Sequence, residues 1–282
     1  MIKKISLPVF FSLILALSAC TNDGSKTADQ GGEKEGMTQF ADDKSFQGKH
    51  ELPEAIVYQG IGKMVTLQGS DGQAVNAYVV VPQQYTGKAL LVFHEWWGLN
   101  DQIKREADRL FDSLGNVMVI APDMYDGKVA TTREDAAKYM KAFNMDRGRT
   151  IIFDATRLAG DATQIATIGW CFGGGLSLKA SILMGSEAAG CVMYYGMPVE
   201  NAKDLAPLKT DILGIFAEQD QSINAKVVQN FRDIARTAGK NLTVHTYDAD
   251  HAFANPSSPR YNEKAATEAN EVALKFLREK LK

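Results

Sequence analysis

Gly169-Trp170-Cys171-Phe172-Gly173, followed at once by Gly174 and Gly175, sets a thiol between an apolar run and a glycine-rich helix start. The pattern has the form of the nucleophile elbow G-x-S-x-G, with sulfur in place of oxygen. A strand that turns sharply into a helix leaves no room for side chains beside the nucleophile, so the flanking positions must be glycine. At that place Cys171 also meets the positive end of the helix dipole, which favours thiolate. Five residues alone also fit a buried structural cysteine, and Cys191, inside the apolar run Gly190-Cys-Val-Met-Tyr-Tyr195, reads that way.

Two further groups complete a nucleophilic set. Asp220 stands just past the apolar run Ile212 to Phe216, and His251 stands in Asp248-Ala-Asp-His-Ala-Phe253, after the run Leu242 to Tyr247. Cys171, Asp220 and His251 follow one another at intervals of 49 and 31 residues. Nucleophile, acid, histidine is the chain order of α/β-hydrolases, and the intervals suit one βα unit followed by one strand. A carboxylate at Asp220 would fix the tautomer of His251 and stabilise its imidazolium, with Glu218 as second choice of acid. Asp248 and Asp250 read as turn formers. His94-Glu-Trp-Trp-Gly-Leu-Asn100 opens the loop where this arrangement places half of an oxyanion hole. A backbone N–H near Glu95 or Trp96 would pair with that of Phe172, and losing one such donor typically costs about 100- to 1000-fold in rate. His50 and His245 read as solvated or packed side chains. No two histidines share ligand spacing with a third donor, so neither a metal nor a cofactor is expected.

The elements that must position these groups alternate. Val65 to Leu67 and Ala74 to Val81 read as strands joined by a turn at Asp71-Gly72. Ala89 to Phe93, Val117 to Ala121, Ile165 to Gly169, Gly190 to Tyr195, Ile212 to Phe216 and Leu242 to Tyr247 read as further strands, most of them continuous apolar runs. Between them, helical spacing marks Ile103, Ala107, Leu110, Phe111 and Leu114, capped by Asn100 and ended by Gly115. Residues 133–159 read as one or two helices broken near 144–148. Val227, Phe231, Ile234, Ala235 and Ala238 mark another helix, and Ala265, Ala269, Val272 and Phe276 a last one. The rhythm predicts a mostly parallel central sheet flanked by helices, with an antiparallel pair at its start, and the elbow with the order nucleophile, acid, histidine makes it an α/β-hydrolase fold. Functional groups then belong at the carboxyl ends of the strands.

The N-terminus reads as an address. Lys3 and Lys4 precede an apolar run, Ile5 to Leu17, too short to span a bilayer and shaped like a signal peptide. It ends in Leu17-Ser18-Ala19-Cys20, which resembles a bacterial lipobox with Cys20 as the lipidated residue; an ordinary secretory cleavage near Ala19 is the alternative. Residues 20–55 hold too few apolar side chains to offset ordering entropy and read as a flexible tether, leaving 56–282 as the folded domain. With 31 basic and 34 acidic side chains in 282 residues, the net charge of −3 offers no basic stripe for nucleic acid. Nothing in the sequence sets the oligomeric state, for which a monomer is the simplest expectation.

His94-Glu-Trp-Trp-Gly, Ala121-Pro-Asp-Met-Tyr125, Gly169-Trp-Cys-Phe-Gly-Gly174, Tyr194-Tyr-Gly196 and Asp248-Ala-Asp-His-Ala-Phe253 together resemble the dienelactone hydrolase family, over roughly residues 60 to 280. The resemblance implies a thiol hydrolase that opens a lactone or ester through a thioester on Cys171. It also implies that Glu95 contacts the resting thiol and helps to ionise it. Trp96, Trp97, Tyr125 and Tyr195 are candidates for the acyl pocket or the core. Members of the family carry one arginine after the tyrosine of Pro-Asp-x-Tyr and another shortly after the histidine, both holding a substrate carboxylate. Here Asp126-Gly127-Lys128 and Ala254-Asn255 stand in those places. Lys128 could act as a point charge without the bidentate fork. The sequence thus predicts a lipid-anchored envelope hydrolase of a small ester or lactone, touching the membrane only through its anchor. A binding lipoprotein without turnover, and a thiol acyltransferase, are the rival readings.

Overall fold

The computed structural model describes residues 36–160 and 164–282. The leader, Cys20 and the first part of the expected tether lie outside the described residues.

The chain builds one eight-stranded sheet in the order β1-β2-β4-β3-β5-β6-β7-β8. β1 (Lys63–Gln68) and β2 (Ala74–Val80) form the antiparallel hairpin read from the sequence, and β2 also runs antiparallel to β4 (Met118–Pro122). From β4 onward every pairing is parallel, through β3 (Lys88–Phe93), β5 (Gln164–Trp170), β6 (Ala188–Tyr194), β7 (Ile212–Ala217) and β8 (Leu242–Tyr247). The middle strands are buried on both faces, which is why they read as unbroken apolar runs. β8, at the sheet edge, alternates half-buried and exposed residues.

Helices cover the sheet. α1 (Lys44–Lys49) precedes it. α2 (Asp101–Leu114) follows β3, capped by the Asn100 side chain on Ile103 N–H and ended at Gly115. α3 (Arg133–Ala142) and α4 (Met145–Thr156) are the two helices expected over 133–159. The break falls at Phe143, because Asn144 turns to cap α4 through Asp146 and Arg147 N–H. α5 (Phe172–Met184), α6 (Ala202–Leu205), α7 (Ala225–Thr237) and α8 (Glu263–Lys280) complete the set. α2 and α8 pack on each other and on β4, β6 and β7, while α4 and α5 pack on each other and on strands from β2 to β6.

Residues 36–50 depart from the expectation of a tether. Gly36–Phe40 forms a 3₁₀ turn, and α1 follows with Asp43 accepting from Ser45 and Phe46 N–H. Of the few apolar side chains here, Met37, Ala41 and Phe46 are buried and Phe40 is half-buried. They do not need to build a core of their own, because the finished domain offers a surface on which to bury them; a short segment pays less entropy there than composition alone suggests. Phe46 packs edge-on to Trp96 with ring centroids 5.5 Å apart, and stacks on Phe40 at 5.1 Å. Arg133 Nε donates to the His50 carbonyl at 2.6 Å, and Lys141 pairs with Asp42 at 2.8 Å. The segment is a strap laid over the carboxyl end of the sheet.

Candidate active site

Each group singled out from the sequence lies just beyond the carboxyl end of a parallel strand: Glu95 after β3, Cys171 after β5, Asp220 after β7 and His251 after β8. Cys171 is the turn itself, with φ 54° and ψ −117°, a region that costs an L-residue about 1–3 kcal/mol. Close packing holds it there. A Cβ on Gly169 would stand 2.1 Å from the Gly173 carbonyl oxygen, and one on Gly173 would stand 2.2 Å from that of Phe93. Cys171 N–H donates to the Tyr194 carbonyl at 3.0 Å, so the elbow is also tied to β6.

Asp220 and His251 meet. His251 Nδ1 lies 2.5 Å from Asp220 Oδ2, and both side chains are almost wholly buried. Asp220 Oδ1 accepts from Ser222 N–H at 2.8 Å and Ile223 N–H at 2.9 Å, so each carboxylate oxygen has a partner. Burial works against the charge of Asp220, but His251 and these two donors outweigh it and hold the carboxyl below its usual range. Burial likewise opposes the His251 imidazolium; Asp220 and Cys171 overcome it and raise the imidazole well above its ordinary value. Glu218, the second choice of acid, is exposed and accepts from Thr246 Oγ1 at 3.0 Å.

Burial pushes the Cys171 thiol up, against the pull of His251, and the charge of Glu95 adds to the rise. Dehydration thus opposes the thiolate that a helix N-terminus favours. Glu95 is also buried, and burial lifts its carboxyl to about 7, against the His251 charge and the hydrogen bond from Asn255. Asn255 Nδ2 donates to Glu95 Oε2 at 2.6 Å. His94 braces this loop from below: its Nδ1–H donates to the Glu95 carbonyl at 2.6 Å, and its Nε2 accepts from Met124 N–H at 3.2 Å.

Five buried side-chain polar atoms have no hydrogen-bond partner among the described residues: Nε2 of His50 and His251, Trp96 Nε1, and the hydroxyls of Tyr125 and Tyr195. His50, Trp96 and Cys171 line one small cavity together with Glu95, Trp97, Asn255, Lys49 and Arg260. Its free volume is about 10 Å³, room for a single water. The Tyr195 ring packs against His251 at 4.9 Å, and Tyr125 packs against Phe172 at 5.4 Å.

Most of the expected groups thus converge, and two expectations need correction. Lys128 is not in the cavity. The backbone at Asp126 and Gly127 takes positive φ (53° and 89°), Arg147 holds the Asp126 carboxylate at 2.6 Å, and Lys128 is carried outward over the Tyr139 ring. His50, read as a bystander, stands 4.9 Å ring to ring from His251. Its only sequence signal is the four-residue spacing from Phe46 on one face of α1. Arg260, outside every motif singled out above, also lines the cavity and lies 3.6 Å from Asp250. Cys191 is fully buried against Ser177 Oγ at 3.6 Å, as a structural cysteine should be.

The sequence pattern of the dienelactone hydrolase family matches residues 75–281. A protein of Aquifex aeolicus, provisionally named a carboxymethylenebutenolidase, is 31% identical over 238 residues, covering 79% of this chain and all of its own. The carboxymethylenebutenolidase of Pseudomonas putida is 29% identical over 230 residues, covering 76% of this chain and 94% of its own. Among solved structures, a dienelactone hydrolase-like promiscuous phosphotriesterase from metagenomic libraries superposes with a TM-score of 0.66 at 21% identity, covering 79% of this chain and all of its own. The chain belongs to the dienelactone hydrolase family, and with it to the hydrolases of esters and lactones.

The raised carboxyl of Glu95 makes a stability prediction. An acid whose folded pKa is about 7 and whose ordinary value is 4.5 loses folding stability as pH rises through that window, because the folded state must hold the proton or bury the charge. Glu95→Gln is expected to match the wild type below the window and to exceed it by roughly 3 kcal/mol above pH 7. Urea denaturation across pH 4–8 measures the difference; a difference that does not change with pH would contradict the burial of this charge.

Proposed function

We propose that this member of the family hydrolyses a small carboxylic ester or lactone through a thioester on Cys171, with Asp220 and His251 as its proton machinery. The observation that carries the reading is the convergence of a strained, buried thiol, an imidazole hydrogen-bonded to a buried aspartate, and a carboxyl lifted to about 7, at the carboxyl ends of four parallel strands. An acid–base group with its pKa near the working pH is well matched to moving a proton at neutrality.

In this reading Glu95 takes the proton of the Cys171 thiol as substrate enters. The thiolate sulfur bonds to the acyl carbon, and the carbonyl electron pair moves to its oxygen. The N–H of Phe172, at the first turn of α5, and an N–H of the Glu95–Trp96 loop receive that oxyanion. Collapse of the intermediate breaks the bond to the leaving oxygen, which takes a proton from His251. Water, deprotonated by His251, then attacks the thioester; the carbon–sulfur bond breaks and the departing thiolate takes its proton back from Glu95. Asp220 holds His251 in the tautomer that makes both transfers possible. Trp97 and Tyr195 flank the acyl group, and Arg260 supplies a cation from farther along the loop than the family's second arginine. That placement favours an acyl group carrying an anionic end.

The same proposal places the protein in the cell envelope, exported by its leader and held at a membrane surface by lipid on Cys20. The support is the Leu17-Ser18-Ala19-Cys20 pattern directly after the apolar run.

Release of nitrophenol from p-nitrophenyl acetate tests the chemistry. The wild type is expected to turn over and Cys171→Ala to lose at least about 1000-fold, consistent with removal of an activated nucleophile. Equal rates in the two would defeat the thiol reading, and a burst without turnover would favour acyl transfer. For the address, cell fractionation is expected to find the wild type with membranes and Cys20→Ala in the soluble fraction; unchanged fractionation would refute lipid anchoring.

A further inference from the structure

His50 has no part in the hydrolytic cycle, yet it is buried against the two groups that do. Its Nδ1–H donates to the Phe46 carbonyl at 2.7 Å, which leaves the Nε2 lone pair free, and Nε2 has no partner. His251 has the same form: Nδ1 is engaged by Asp220 and Nε2 is unpartnered. A histidine buried only for packing would be expected to satisfy both nitrogens. Here two rings each have one nitrogen fixed by an oxygen acceptor and the other free. That is how metal-binding histidines are oriented, by a carboxylate or a carbonyl behind them.

The third donor is Cys171. A ring nitrogen of His50, a ring nitrogen of His251 and Cys171 Sγ all lie within 4.8 Å of one another, and all three residues are buried. Around a tetrahedral zinc, bond lengths of about 2.0–2.3 Å set neighbouring donors roughly 3.3–3.6 Å apart. The three would need to close by about 1.2–1.5 Å at most. Once His251 gives up the proton that Asp220 favours, two neutral imidazoles and one thiolate are a borderline-soft set, suited to zinc and unsuited to magnesium or calcium. The cavity beside them holds about 10 Å³, enough for one water in the fourth position.

We propose that His50, Cys171 and His251 form a zinc site which, when filled, locks the strap of residues 36–50 over the active site and switches hydrolysis off. The inference rests on the roles given above to Cys171 and His251. Binding forms one zinc–sulfur and two zinc–nitrogen bonds as the thiol proton and the His251 imidazolium proton leave to solvent, with no change of oxidation state. The nucleophile is then coordinated, the His251 lone pair is occupied, and α1 is tied down through His50. An ester and the metal compete for the same space, so the empty site must let the strap lift before substrate can enter.

The test uses the full chain in detergent and needs no turnover to read. Equilibrium dialysis with zinc is expected to give one ion per chain. Cobalt(II) in its place is expected to give a thiolate-to-metal charge-transfer band, absent in Cys171→Ser. His50→Ala and His50→Gln, checked for folding by circular dichroism, should weaken zinc binding at least about tenfold. In the ester assay zinc should inhibit the wild type, a chelator should restore it, and both His50 variants should turn over while resisting inhibition. Unchanged zinc affinity in both folded His50 variants, or cobalt binding without the sulfur band, would overturn the site. Absent turnover in metal-free wild type would count against the hydrolase reading alone, since dialysis and the cobalt spectrum still decide whether the ion binds.

Discussion

The backbone at Cys171 is held in a conformation that an L-residue avoids, and much of the site follows from keeping it there. The turn between β5 and α5 can be this tight only because Gly169 and Gly173 bring main chain against main chain, in contacts that would place a Cβ 2.1–2.2 Å from a carbonyl oxygen. β3 supplies one of those carbonyls through Phe93, and β6 anchors the Cys171 N–H through Tyr194. The parallel order of the central strands brings the loops carrying Glu95, Asp220 and His251 to the same end of the sheet. The strain of the elbow is small beside the burial of the strands that hold it, so the fold can sustain it.

Dehydration is the second constraint. Cys171, Glu95, Asp220 and His251 are all removed from water, and their charges are set by one another more than by their ordinary chemistry. The Asp220–His251 pair settles its charge internally, with every Asp220 oxygen engaged. That leaves Cys171 and Glu95 sharing the burden of a buried proton, both raised by burial. A site this dry strengthens the electrostatic interactions that a reaction can use, and it also explains why the strap matters. Phe46 and His50 both pack against His251 from the strap.

Much of this was legible in the sequence, for physical reasons. Strands buried on both faces announce themselves as apolar runs, and Asn100 and Gly115 mark the limits of α2 by their own capping chemistry. The nucleophile turn could be read because sterics leave glycine no substitute. Interactions between distant segments were harder. Residues 36–50 look like a tether because their composition cannot build a core, but they borrow one, and only the tertiary surface under Phe46 reveals it. His50 and Arg260 reach the site for the same reason, and the one local signal for either is the four-residue spacing of His50 from Phe46. Lys128 went the other way: its place in a familiar motif suggested the pocket, but the positive-φ turn at Asp126 and Gly127 and the grip of Arg147 on Asp126 turn it outward.

The central claim is that acyl transfer passes through sulfur at position 171. The most direct measurement is rapid acid quenching of the protein during its reaction with p-nitrophenyl acetate, followed by peptide mass analysis. The account predicts one acetyl group on the peptide carrying Cys171, appearing with the first released nitrophenol and lost as turnover proceeds. Turnover with no label there, or with the label on another residue, would contradict it.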